Sequence, residues 1–215
     1  RISLGAGYEG SKWYQQLAAR PAYHDLLDPE LGYVRGAQIE FLSAIFRHYE
    51  QDRLELDSFR PLNIVSLSPR NRLFSPISWS LETVIKRKRS DKKLGKLSYS
   101  IGGGPGISYQ LSNRLLFYAL SEGGAELGPD FNEEKWSLSI GGSTGIYADL
   151  SPRLRLMLQG RSLRHGLGEL YTESEVQAAA RLSLSQNWSL QAGISRNGEF
   201  GSWTTDTLVS LQHFF

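Results

Sequence analysis

A period-two alternation, kept up over ten residues and more, is what most narrows the folds open to this chain. In the last segment Trp203, Thr205, Thr207, Val209, Leu211, His213 and Phe215 alternate with Thr204, Asp206, Leu208, Ser210, Gln212 and Phe214. The segment before it sets Trp188, Leu190, Ala192 and Ile194 against Ser189, Gln191, Gly193 and Ser195, with Asn197-Gly198-Glu199-Phe200-Gly201 as the expected hairpin. Upstream, Val176, Ala178, Ala180, Leu182 and Leu184 oppose Gln177, Ala179, Arg181 and Ser183. Leu154, Leu156 and Leu158 oppose Arg155, Met157 and Gln159. Successive strand residues point to opposite faces, so each segment has one apolar face and one small or polar face.

The pattern runs through about twelve segments, at 2–9, 13–24, 36–48, 53–66, 77–88, 95–109, 113–121, 134–148, 153–164, 171–184, 187–197 and 203–215. Many reach the roughly 9–11 residues with which a tilted strand crosses a bilayer, more than the typical soluble strand of about 5–6. The longest unbroken apolar run, Leu115 to Leu120, falls far short of the roughly 18 residues of a membrane helix. The expected fold is all-β: an antiparallel transmembrane β-barrel of about twelve strands, ten being the next choice, in a single domain over residues 1–215. Ser11 to Arg20 and Glu173 to Leu182 also suit a helix by propensity, and are read as strands. A soluble barrel or sandwich acting as a binding module, apolar faces inward, is the alternative fold.

Connections separate the two ends. Tight ones at Leu111 to Asn113, Asp149 to Pro152 and Ser185 to Asn187 fall on one side, and longer, more charged ones at 50–53, 89–93, 122–133 and 164–171 on the other. Outer-membrane barrels show this asymmetry, with short periplasmic turns and longer external loops. The segments 25–35 and 68–76 are exceptions. An even strand count puts both termini at the periplasmic end. Trp13, Trp79, Trp136, Trp188 and Trp203 sit toward strand ends, as an aromatic girdle requires.

A net charge of +2 gives no sign of a nucleic-acid partner, and the absence of cysteine removes disulfides, thiolate zinc sites and cysteine nucleophiles. Local clusters carry more information. Lys86-Arg87-Lys88-Arg89-Ser90-Asp91-Lys92-Lys93 holds six cations at an expected external hairpin tip. Lys86, Arg87, Lys88, Arg89, Lys92 and Lys93 are therefore candidates for contact with lipopolysaccharide phosphates. No aromatic residue is interleaved with them, as a nucleic-acid site would want. Glu40, Glu82, Arg155, Arg161, Glu175 and Arg181 fall on the polar face of their strands and are candidates for an ion-pair network filling the lumen.

Signs of chemistry are few. Gly5-Ala6-Gly7-Tyr8-Glu9-Gly10 fits a dinucleotide fingerprint, but no series of βαβ units follows. Gly141-Gly142-Ser143-Thr144-Gly145 fits a nucleophile elbow, but both flanks read as strand. Ser162 and His165, near Glu169, are the residues a barrel-embedded lipid hydrolase or acyltransferase would use. His24, Asp25 and Asp28 form a weak metal-like set. The expectation is a non-enzyme with no catalytic residue, metal or cofactor.

The alternating strand that closes on Phe215 resembles the terminal strand by which the barrel-assembly machinery recognises outer-membrane proteins, and His213 departs from that pattern. Phe215 is thereby implied as the assembly signal. Arg20-Pro-Ala-Tyr-His-Asp-Leu-Leu-Asp28, Gly36-Ala-Gln-Ile-Glu-Phe-Leu42, Val65-Ser-Leu-Ser-Pro69 and Ser78-Trp79 resemble the C-terminal region of a Gram-negative family of unknown function. The upstream half of that family is an Lnb-type N-terminal periplasmic domain. The resemblance implies the membrane half of a longer protein, located in the bacterial outer membrane and serving as anchor and scaffold for the upstream domain. The implied partners are that domain, the assembly machinery and outer-membrane lipids including lipopolysaccharide.

Overall fold

The computed structural model describes residues 1–28, 36–50, 54–90, 93–129 and 134–215. Its strands are β1 (Ile2–Glu9), β2 (Lys12–Ala19), β3 (Ala22–His24), β4 (Ala37–Tyr49), β5 (Leu54–Ser66), β6 (Ser78–Ser90) and β7 (Lys93–Ser112). They continue with β8 (Leu115–Leu127), β9 (Trp136–Ser151), β10 (Leu154–Gly168), β11 (Tyr171–Ser183), β12 (Trp188–Glu199) and β13 (Ser202–His213). β2 and β3 both lie along β4, with Tyr14 to Ala19 opposite Tyr49 to Ala44, and Ala22 and His24 opposite Glu40 and Ile39. They are one stave broken at Arg20-Pro21, where proline has no N–H for the ladder. The thirteen segments therefore make twelve staves. β1 pairs with β13 from Ile2↔His213 to Glu9↔Asp206, and the antiparallel barrel closes.

Both stretches with helical propensity are strands, since β2 and β11 are laddered on both sides. Pairing with two neighbours outweighs the weak local preference of Ala178-Ala179-Ala180.

Cross-strand partners share a face, so the register sorts the residues. Leu4 (64% exposed), Ile140 (71%), Leu158 (55%) and Val209 (52%) lie on the outer surface, whereas Ser3, Gln16, Glu122, Arg181 and Ser210 are buried inside. A soluble sandwich has the reverse arrangement. Trp79 and Trp188 lie near the end that carries both termini, and Trp13, Trp136 and Trp203 near the other.

The glycine fingerprint is part of the wall. Gly10, at φ +59, makes the β1–β2 turn, and Gly7 lies beneath the buried ring of Tyr14. A Cβ on Gly7 would stand 2.6 Å from Tyr14 Oη and would collide with the Thr207 carbonyl. Gly7→Val is therefore expected to destabilise the barrel by about 1–3 kcal/mol, measured by denaturant unfolding, and to displace Tyr14 Oη from Asp206, which it meets at 2.5 Å.

The loop asymmetry is weaker than the sequence pattern predicts. β8, β10 and β12 extend to Leu127, Gly168 and Glu199, so β10 reaches β11 through Glu169-Leu170 alone, and β12 reaches β13 through Phe200-Gly201. Charged residues near the end of β8, Glu122 and Glu126, read as loop but alternate onto the inner face and prolong the stave.

Candidate functional site

The inner faces enclose a cavity of about 610 Å³. Its lining is set by the alternation: whatever shares a face with the small residues of each strand points inward.

At the end bearing the termini, the chain after β3 folds into the lumen. Leu26 and Leu27 are buried with Leu67, Leu116, Tyr118, Leu120, Tyr147, Met157 and Ala179, an apolar core inside the barrel. Arginines pin this plug. Arg181, 1% exposed, donates to Asp25 at 2.9 Å and to Asp28, and is itself oriented by Gln191 at 2.7 Å. Arg20 and Arg1 reach Asp25 at 3.2 and 3.3 Å. Arg155 Nη1 donates to the Leu26 and Asp28 carbonyls at 2.9 and 2.8 Å. Burial alone would raise the Asp25 pKa, but the guanidiniums of Arg181, Arg20 and Arg1, with the Leu27 N–H, hold it well below the usual carboxylate range. Of the metal-like set His24, Asp25 and Asp28, both carboxylates are taken by guanidiniums, and the His24 side chain lies outside the described residues.

In the middle of the lumen, Glu40 meets Arg20 at 3.7 Å and Asn63 at 3.3 Å. Arg60 binds Glu82 at 3.0 Å. Arg161 binds Glu122 at 2.7 Å and reaches Glu82 at 3.8 Å. Glu175, opposite Arg161 in the β10–β11 ladder, lines the same cavity. Of the six charges read from the polar faces, Glu40, Glu82, Arg161 and Glu175 line the cavity, while Arg155 and Arg181 hold the plug. One cluster was missed. Arg47 binds Asp206 at 2.7 Å and Gln16 at 3.1 Å, and its guanidinium stands 4.2 Å above the Tyr14 ring. The signal was the place of Asp206 on the same strand face as Thr204, Leu208 and Ser210, which puts it inside.

At the far end the basic run is corrected in part. Lys86 and Lys88 lie on β6, which continues to Ser90, and they point into the lumen rather than from a loop tip. Lys86 meets Glu173 at 2.6 Å. Lys88 meets Glu126 and Glu173 at 3.1 Å and Glu199 at 3.3 Å. Buried cations persist where carboxylates on facing strands compensate them, and no local composition reveals such partners. Arg87 pairs with Glu55 at 3.5 Å. The side chains of Arg89 and Lys93, and Lys92 as a whole, lie outside the described residues. Phe215 is 82% exposed beyond the end of β13.

Ser162 and His165 do not meet. Ser162 Oγ lies 3.0 Å from Ser174 Oγ on the outer face, whereas His165 points inward, its Nδ1 2.8 Å from Ser137 Oγ. Gly141 to Gly145 lies within β9, so no elbow lifts Ser143, which instead donates to Glu122.

The comparisons agree with the barrel fold. A family described as a domain of unknown function, DUF7840, matches residues 1–214. No curated protein matches the sequence significantly. Among solved structures, the NanC porin is similar over 100% of both chains, with a TM-score of 0.61 and 6% identity. The KdgM porin in complex with disordered oligogalacturonate is similar over 100% of this chain and 98% of that one (TM-score 0.54, 7% identity). An outer membrane channel from Pseudomonas putida F1 is similar over 99% and 95% (TM-score 0.55, 10% identity). At such identities the likeness is one of fold, and these neighbours are porins or channels, not enzymes.

Proposed function

We propose that this chain, which belongs to the DUF7840 family, is an outer-membrane barrel acting as anchor and scaffold for a periplasmic domain upstream of Arg1, with a lumen closed by its own side chains. The carrying observation is the plug. Leu26 and Leu27 occupy the lumen beside the termini, and Arg181, Arg155 and Arg20 clamp their backbone and flanking carboxylates. An apolar core inside the lumen supports closure, since it offers a polar solute no hydrogen-bonding path. In this reading the termini face the periplasm, and the outer surface meets lipid. Arg89, Lys92 and Lys93 are the proposed contacts for lipopolysaccharide phosphate, since Lys86, Arg87 and Lys88 are engaged by carboxylates.

Planar-bilayer recording tests the closed lumen. The purified wild-type barrel is expected to insert without a stable open level, and steady ohmic steps from the wild type would refute closure. Anchoring is tested by fusing a reporter domain ahead of Arg1. The reporter should sediment with outer membranes and resist protease added outside the cells; recovery in the soluble fraction refutes the anchor.

A further inference from the structure

At the end of the lumen away from the termini, Glu126 of β8, His165 of β10 and Glu173 of β11 converge, their carboxylate oxygens and imidazole nitrogen all within 4.8 Å of one another. His165 is 4% exposed, and its Nε2 is buried without a hydrogen-bond partner. Nδ1 is fixed by Ser137 Oγ at 2.8 Å, and Ser137 is itself fully buried. With Nδ1–H donating to that hydroxyl, Nε2 carries a free lone pair. This is how an outer partner orients a metal-binding histidine.

The surroundings are built to hold that geometry. The His165 ring stacks on Tyr171 with centroids 3.8 Å apart, and Tyr171 stacks on Phe200 at 4.1 Å. The Tyr171 hydroxyl donates to Glu126. Three carboxylates, from Glu126, Glu173 and Glu199, face two ammonium groups, Lys86 and Lys88. One negative charge is left over where water is largely withdrawn, and such an excess favours a further cation.

We propose that Glu126, His165 and Glu173 form a binding site for a divalent transition-metal ion of the zinc class, in competition with the Lys88 ammonium. One imidazole nitrogen with two carboxylates suits a borderline ion better than calcium or magnesium, which take oxygen ligands. Rotation of the two carboxylates toward Nε2 brings the donors to the ~2.0–2.2 Å bonds of such a site. Lys88 then keeps Glu199 at 3.3 Å and the Tyr171 hydroxyl at 2.9 Å. The site is independent of the plug, so it stands or falls apart from the anchor reading.

The test is titration of the folded, detergent-purified barrel with Co²⁺, followed by its visible absorption, with Zn²⁺ as competitor. Heat-modifiable gel mobility checks the fold of every variant. Wild type is expected to take up one equivalent, His165→Ala to bind at least about tenfold more weakly, and Lys88→Met about tenfold more tightly. Glu173→Gln replaces His165→Ala if the latter does not fold. Absence of saturable uptake by wild type overturns the proposal, as does uptake confined to Lys88→Met, which would show that the ammonium owns the site. Unchanged binding by His165→Ala or Glu173→Gln overturns it as well.

Discussion

Arg181→Met is expected to destabilise the barrel by about 3 kcal/mol and to open a conducting path. Removing one partner of a buried ion pair typically costs about 3–5 kcal/mol, because the opposite charge is left without compensation. Here Arg181 is 1% exposed and serves both Asp25 and Asp28. The lower figure applies because Arg20 still reaches Asp25 at 3.2 Å and Asp28 at 3.8 Å. Asp28→Asn in the Arg181→Met background should restore part of the loss, since it removes one orphaned charge. Denaturant unfolding measures the first effect and bilayer current the second. A variant as stable as wild type and carrying no more current would mean that burial of Leu26 and Leu27 alone holds the segment.

The outer surface yields a prediction of similar size. Leu158, 55% exposed, lies well within β10, whereas Leu167, 60% exposed, lies beside its end. In a bilayer, Leu158→Arg should cost about 2–4 kcal/mol and Leu167→Arg about 0–1 kcal/mol, following the depth of each position. Unfolding from lipid vesicles gives both values. Equal effects near zero would show that this face does not meet hydrocarbon.

The wall was legible because period two is a local property. Leu154 to Leu158, Trp188 to Ile194 and Trp203 to Leu211 each declare their faces without reference to the rest of the chain. The lumen was legible only in part. Alternation places Glu82 and Arg161 inside, but which cation meets which carboxylate depends on facing staves: Lys86 meets Glu173 and Arg47 meets Asp206 across 87 and 159 residues. No local pattern carries such a distance. The same limit explains Lys86 and Lys88. A run of cations looks solvated until the carboxylates of β8, β11 and β12 are placed against it. The segment from Arg20 to Asp28 stood out as a motif but not as a plug, because its inward course follows from Arg155 and Arg181, which lie 127 and 153 residues from Asp28.

The seam between β1 and β13 also governs when the barrel can come into being. Every other ladder of the wall joins strands close along the chain, so hairpins can form as soon as both arms exist. The seam pairs Ile2 with His213 and Glu9 with Asp206, contacts of nearly the greatest sequence separation the chain allows. Contacts so remote are entropically late and make folding slow. Until the 12 residues of β13 are in place, β1 is an open edge with unpaired N–H and C=O groups, able to recruit any passing strand. The chain must therefore be kept apart from its copies until β13 is made and paired. Loss of β13 should give misassembly rather than a smaller barrel.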